Sequence, residues 1–170
     1  MTGFFADIDP DAVGVRSAPW IRRTVLAVLA VIPLLALLGV FGQPPVGTTF
    51  VAPAATLHVS APRTVRGGIF FQARIDVRAR RDLPRPRLVL DQGWFEGLQV
   101  NSTEPAPVSE ATRQGRVVLS YDKLDAGDFL RVWVQFEVNP TNVGSHPFDV
   151  ELDNAELPVA HVSRTLTSLP

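Results

Sequence analysis

Apolar and polar positions follow two different rhythms along this chain, and the change falls near residue 50. Thr24 to Phe41 is an unbroken apolar run of 18 residues with no charge. As a helix rising ~1.5 Å per residue it would measure about 27 Å, close to the ~30 Å hydrocarbon layer of a bilayer. A backbone in that layer must satisfy its own polar groups, so the run is expected to be helical. Pro33 interrupts it once, which membrane helices tolerate with a kink.

From Thr56 the period becomes two. Leu57 and Val59 alternate with polar neighbours. Phe71, Ala73, Ile75, Val77 and Ala79 alternate with Gln72, Arg74, Asp76 and Arg78. Leu88 and Leu90, then Val117, Leu119 and Tyr121, continue the pattern. Leu130, Val132, Val134, Phe136 and Val138 alternate with Arg131, Trp133, Gln135 and Glu137; Phe148, Val150 and Leu152 follow, and a last strand is expected near Val159 to Leu166. Strands with one dry and one wet face read in this way. Glycine, proline and acidic residues punctuate them at Gly67-Gly68, Leu83-Pro84, Gln114-Gly115, Asp125-Ala126-Gly127 and Asn139-Pro140. About seven short strands with such turns predict an all-β chain end, an antiparallel Ig-like β-sandwich preceded by one transmembrane helix.

The expected organisation is a flexible cytoplasmic tail at 1–20, a transmembrane signal-anchor helix at 21–42, a Pro-rich stalk at 43–55 and an extracytoplasmic sandwich at 56–170. Arg16, Arg22 and Arg23 precede the run, whereas no Lys or Arg lies between Gly42 and Pro62. The positive-inside rule then puts the N-terminus in the cytoplasm and the sandwich outside the cell membrane, with Trp20, Arg22 and Arg23 flanking a single-pass span. A cleaved signal peptide is the alternative. Its apolar core usually covers ~7–15 residues and ends at a small-residue site; here the core is longer, and the nearest such site, Ala52-Pro53-Ala54, stands well beyond it.

Three segments resemble the Ig-like repeat domains of bacterial surface proteins. Thr64 to Ala79 is similar to that family's Val-x-Gly-Gly lead into a long alternating strand. Leu88-Val89-Leu90-Asp91 followed by Gly97-Leu98-Gln99-Val100 resembles its Asp, short turn, Gly-Leu segment. Leu124-Asp125-Ala126-Gly127-Asp128 before Phe129–Val138 resembles its Leu-x-x-Gly-acid turn. The chain departs where the family's Leu-Pro becomes Gly93-Trp94-Phe95, and where its polar Asn-Gly turn becomes Arg81-Asp82-Leu83-Pro84. The resemblance covers residues 56–165. It implies a spacer, adhesion or interaction role outside the cell and no catalytic residue.

Composition narrows the chemistry. A net charge of -1 lacks the basic surface that nucleic acid requires. Cysteine is absent, which removes disulfides, thiolate catalysis and cysteine zinc sites. His58, His146 and His161 stand alone without metal-ligand spacing. Asp122, Asp125 and Asp128, and Asp149, Glu151 and Asp153, are spaced closely enough to suggest calcium ligands, but they lack the EF-hand pattern and read as a solvated turn and a solvated strand face. No Gly-x-Ser-x-Gly elbow accompanies any Ser, His and Asp, so no cofactor, metal or catalytic residue is assigned and no enzyme is expected. The aromatics are the better lead. Trp133 falls on the polar side of its strand, two positions from Arg131, and Trp94-Phe95 occupies a loop between Gly93 and Gly97. Aromatic and Arg residues are enriched at interface hot spots, so Trp94, Phe95, Arg131 and Trp133 form the candidate partner surface. For Trp94-Phe95 the alternative is a plug closing the sandwich end, as large aromatics are mostly buried, and for Trp133 it is a stack against a neighbouring Arg.

The function expected from these features is binding or scaffolding as an accessory subunit of a membrane or envelope complex, with the lipid bilayer and another membrane or envelope protein as partners. An envelope-acting enzyme and a passive stalk or adhesion module are the competing classes.

Overall fold

The computed structural model describes residues 18–37 and 43–170. Most of the expected tail and the end of the apolar run, residues 38–42, lie outside the described residues. The chain forms two compact units, Met1–Gly42 and Gln43–Pro170.

In the first unit, α1 spans Ala18–Leu37 and contains Pro33. Thr24 donates its hydroxyl to the Trp20 carbonyl one turn back, at 2.9 Å. Among the described residues no helix is long and apolar enough to cross a membrane. The physical reason is length: the charge-free part of α1 that is described, Thr24–Leu37, covers only about 21 Å at ~1.5 Å per residue.

The second unit is a mostly antiparallel β-sandwich. One sheet has the order β1-β2-β4-β9-β6 and the other β12-β11-β5-β8-β7. The first is built from β1 (Val46–Val51), β2 (Ala55–Ala61), β4 (Phe70–Ala79), β6 (Leu98–Glu104) and β9 (Phe129–Val138). The second contains β5 (Pro86–Leu90), β7 (Ser109–Arg113), β8 (Arg116–Ser120), β11 (Val150–Asn154) and β12 (Leu157–Val162). A small third sheet, β10-β13-β3, joins Gly144–Pro147, Thr165–Leu169 and Thr64–Arg66, with β3 and β13 parallel.

The adjacency is that of a constant-type immunoglobulin fold. Strands β2, β4, β9 and β6 stand as A, B, E and D, and β5, β11 and β12 as C, F and G. The β7–β8 hairpin extends the sheet beyond β5. Its two-residue turn, Gln114-Gly115, takes φ of 52° and 78°, the left-handed pair that a type I′ turn needs.

Alternation explains the core. Leu57 and Val59 on β2, Ala73, Ile75 and Val77 on β4, and Val132, Val134 and Phe136 on β9 are all buried, and they meet Leu88, Leu90, Val150 and Leu152 from the opposite sheet in one cluster. The expected last strand is two strands, β12 and β13, separated by Ser163-Arg164. The expected stalk is also different. Residues 46–51 pair one to one with β2, from Val46 opposite Ala61 to Val51 opposite Thr56. The sandwich therefore begins at residue 46 rather than 56, because Val-Gly-Thr-Thr-Phe-Val supplies backbone donors and acceptors to an edge that β2 would otherwise leave open.

Candidate functional site

The solvent-facing side of β4 and β9 carries an ordered group of charged and aromatic side chains. Register places Asp76 opposite Arg131, Arg74 opposite Trp133 and Arg78 opposite Phe129. The centre is Asp76, only 9% exposed. Arg131 donates its Nε–H to Asp76 Oδ1 at 2.7 Å. Arg74 Nε lies 3.2 Å from Oδ2, close enough for an ion pair but not aligned to donate a hydrogen bond. One carboxylate thus gathers two guanidinium groups.

Each arginine then covers a ring. The Arg74 guanidinium carbon sits 5.5 Å from the centroid of the Trp133 ring, and that of Arg131 4.9 Å from Phe129. Such cation–π contacts contribute ~0.5–1 kcal/mol at exposed sites. Their larger effect here is orientation, since long side chains held at both ends lose less freedom on binding. Beside this group a groove of about 330 Å³ is lined by Pro45, Pro62, Phe70, Gln72, Arg74 and Trp133 among others. Phe70 is 67% exposed at its rim.

The candidate residues named from the sequence divide between two places. Arg131 and Trp133 belong to the outer face just described. Trp94 does not: it is completely buried. A short 3-10 turn, Gln92–Trp94, begins where the Asp91 carboxylate accepts the Gln92 N–H. The indole is carried inward to stack on Phe148, with centroids 3.7 Å apart and planes 12° from parallel. Its Nε1–H donates to the Asp149 carbonyl at 2.9 Å. Gly93 permits this approach, because a Cβ there would stand 1.8 Å from the Pro147 carbonyl oxygen. Phe95 is partly buried and packs against the same core. Trp94 and Phe95 close the interior, so neither joins the surface around Trp133.

The histidines are dispersed. His58 shares a hydrogen with Thr49 at 2.7 Å, His146 faces Glu96 at 3.6 Å and His161 faces Asp149 at 3.5 Å. Asp125 and Asp128 belong to a turn in which the Asp128 carboxylate accepts the Asp125 N–H. Among the described residues no three His, Cys, Asp or Glu side chains are grouped to hold a metal ion. On the outer face of the other sheet, Glu151 accepts from Arg116 at 2.8 Å. Burial and the adjacent Glu151 push the Asp153 carboxyl above the ordinary carboxylate range.

Sequence reading missed Asp76 and Arg164. The signal for Asp76 was available: an acid on the polar face of a strand, flanked at i–2 by Arg74, with Arg131 on the other long strand. Arg164 had no comparable signal, because its side-chain partners are three main-chain carbonyls and the Thr48 hydroxyl, all more than a hundred residues away.

The chain matches no protein-family model and no curated protein sequence. Among solved structures it is similar to the CARDB domain of a Pyrococcus furiosus protein determined in complex with di-metal ions. The two share 14% identity, with 72% of this chain and 93% of that one covered, at a TM-score of 0.40. A likeness at that level transfers neither the metal ions nor any role to this chain.

Proposed function

We propose that the protein is a single-pass membrane protein presenting its sandwich outside the cell membrane as a binding or scaffolding domain, an accessory subunit of a membrane or envelope complex. The N-terminus is then cytoplasmic, and docking uses the outer face around Arg74, Arg131 and Trp133.

The observation that carries the binding role is the Asp76 clamp. It holds two arginines and, through them, two aromatic rings on a solvent-facing surface, beside a groove with an exposed phenylalanine at its rim. Fixed Arg and Trp side chains are the residue types that dominate interface energetics. Support for the anchor comes from α1. Val25, Leu26, Val28, Leu29, Ile32 and Leu34 are all exposed, and at 100° per residue they surround the helix rather than forming one stripe. A helix apolar on every side requires lipid or a protein interior around it. The sequence continues the same texture to Phe41. Only Gly42, Gln43, Pro44 and Pro45 then precede β1, a connection whose reach is at most ~18 Å.

Purification of the tagged full chain in mild detergent, after cross-linking in the membrane, tests this reading. A defined membrane or envelope protein should be recovered with it and lost with the double substitution Arg131→Ala and Trp133→Ala, while circular dichroism stays unchanged. Recovery of the chain alone, or equal capture by the double variant, would remove the binding role and leave a passive stalk. Extraction by alkaline carbonate would remove the anchor.

A further inference from the structure

A second polar feature lies at the other edge of the sandwich, where β12 and β13 meet β1. Arg164 is 8% exposed and has no carboxylate within ion-pair distance among the described residues. Its Nη1 donates to the Val46 carbonyl at 2.8 Å, the Thr48 hydroxyl at 2.7 Å and the Val59 carbonyl at 3.2 Å; its Nη2 donates to the Ala61 carbonyl at 2.7 Å. Every one of these acceptors is neutral, and Nε is buried without any partner. Burial, and after it the positive charge of Arg63, pull the Arg164 pKa below its ordinary value. A buried guanidinium facing another cation is a costly arrangement unless something negative completes it.

The surroundings are shaped for such a group. A hollow of about 280 Å³ is lined by Thr48, Arg63, Ser163, Arg164 and Thr165. Its lining residues carry two guanidinium groups and three hydroxyls, and none of them is an acidic or a hydrophobic residue. Arg63 is exposed, and its backbone is fixed because its carbonyl accepts the Thr167 N–H at 2.8 Å. The nearby acid is Asp149, whose Oδ1 already accepts the Arg164 backbone N–H at 2.8 Å and the Ser163 hydroxyl at 3.1 Å, and whose Oδ2 faces His161. The Thr48 oxygen accepts from Arg164, which leaves its proton to donate outward. Thr165 makes no side-chain hydrogen bond among the described residues.

We infer that this hollow is a binding site for a phosphate group, contacted by Arg63, Thr48 and Thr165 over a fixed positive floor supplied by Arg164. The donors come from three separate segments: β1, the β2–β3 connection and the start of β13. A planar carboxylate is satisfied by one guanidinium fork, whereas a tetrahedral oxyanion uses donors arriving from several directions. The phosphate can be free, or the diester of a lipid headgroup. The site lies entirely within the sandwich, so it stands whether or not the chain is anchored.

Calorimetric titration of the full chain in neutral-detergent micelles tests it, with inorganic phosphate and the deacylated headgroup glycerophosphoglycerol as separate ligands and acetate as the control. At least one phosphate should bind saturably, at least tenfold more tightly than acetate. That affinity should fall at least tenfold in Arg63→Gln and in Thr165→Val. Tighter binding of the diester assigns the site to a lipid headgroup, and tighter binding of inorganic phosphate assigns it to the free ion. Arg164 is kept intact, because changing it would also break four hydrogen bonds. No saturation by either phosphate, equal affinity for acetate, or unchanged affinity in both variants would overturn the proposal.

Discussion

Trp94 and Trp133 are both offered by residue type as parts of one exposed surface, yet they end in opposite surroundings. Trp94 leaves the surface on a three-residue turn, stacks face to face on Phe148 and spends its only polar atom on a backbone carbonyl. Trp133 stays on the outer side of β9, covered by the guanidinium of Arg74. Local sequence does not separate the two. The difference arises from what lies opposite: a Gly93 that lets the turn press against Pro147 in one case, and an Asp76 that holds charged neighbours in place in the other. One tryptophan completes the interior and the other stays on the outer face of its sheet.

This comparison is sharpest where substitutions should affect stability and surface function separately. Trp94→Ala removes a fully buried ring from a four-aromatic cluster with Phe71, Phe136 and Phe148. Urea unfolding followed by circular dichroism should show a loss of ~3–5 kcal/mol. A loss under ~1 kcal/mol would mean that the indole does not plug the sandwich. Gly93→Ala should act through the same region, because the new methyl meets a backbone oxygen that cannot move away cheaply. About 1–3 kcal/mol is expected, visible as a lowered urea midpoint with an unchanged slope.

On the other side, Asp76→Ala leaves two arginines without their shared carboxylate. Their side chains are 44% and 33% exposed, so water compensates much of the loss. A destabilisation of about 1–2 kcal/mol is expected, intermediate between exposed and buried ion pairs. The same variant should loosen Trp133, measured as faster acrylamide quenching in a chain whose other tryptophans are replaced by Phe. Trp133→Ala should have the smallest effect on unfolding, within ~1 kcal/mol, and the largest on partner recovery. A Trp133 variant that unfolds as easily as the Trp94 variant would erase the distinction between the two sites.

Period-two patterning made most of the fold legible. The strands that correspond to A, B, C, E and F of the immunoglobulin arrangement were all expected near their observed places, because each buries a continuous row such as Ala73, Ile75 and Val77. The strands that escaped notice have no such row. Every residue of β7, Ser-Glu-Ala-Thr-Arg, is exposed. Strand β6 carries a register shift between Val100 and Ser102, β3 has three residues, and β10 is Gly-Ser-His-Pro. Strand β1 reads as a spacer because it follows Pro44-Pro45 and has no fully buried row of its own. Such strands are held by backbone pairing, which leaves little trace in side-chain identity. The outer-face site was half legible for a related reason. Residue type suggested Arg131 and Trp133, but only the register reveals that Asp76 stands opposite Arg131 and organises both.

The hairpin of β1 and β2 also sets a condition on any cleavage within its turn. Its turn contains Ala52-Pro53-Ala54, the small-residue sequence that a signal peptidase would seek. In the folded protein Ala52 is 5% exposed and its N–H donates to the Ala55 carbonyl, while the Ala54 carbonyl accepts from both Arg80 and Arg81. A peptidase acting after Ala54 would therefore have to arrive before the hairpin closes. Its product would lack a whole edge strand, and Arg164 would lose the Val46 and Thr48 acceptors. Cleavage after Ala54 and closure of the β1–β2 hairpin would thus exclude one another, because both would use the same few residues.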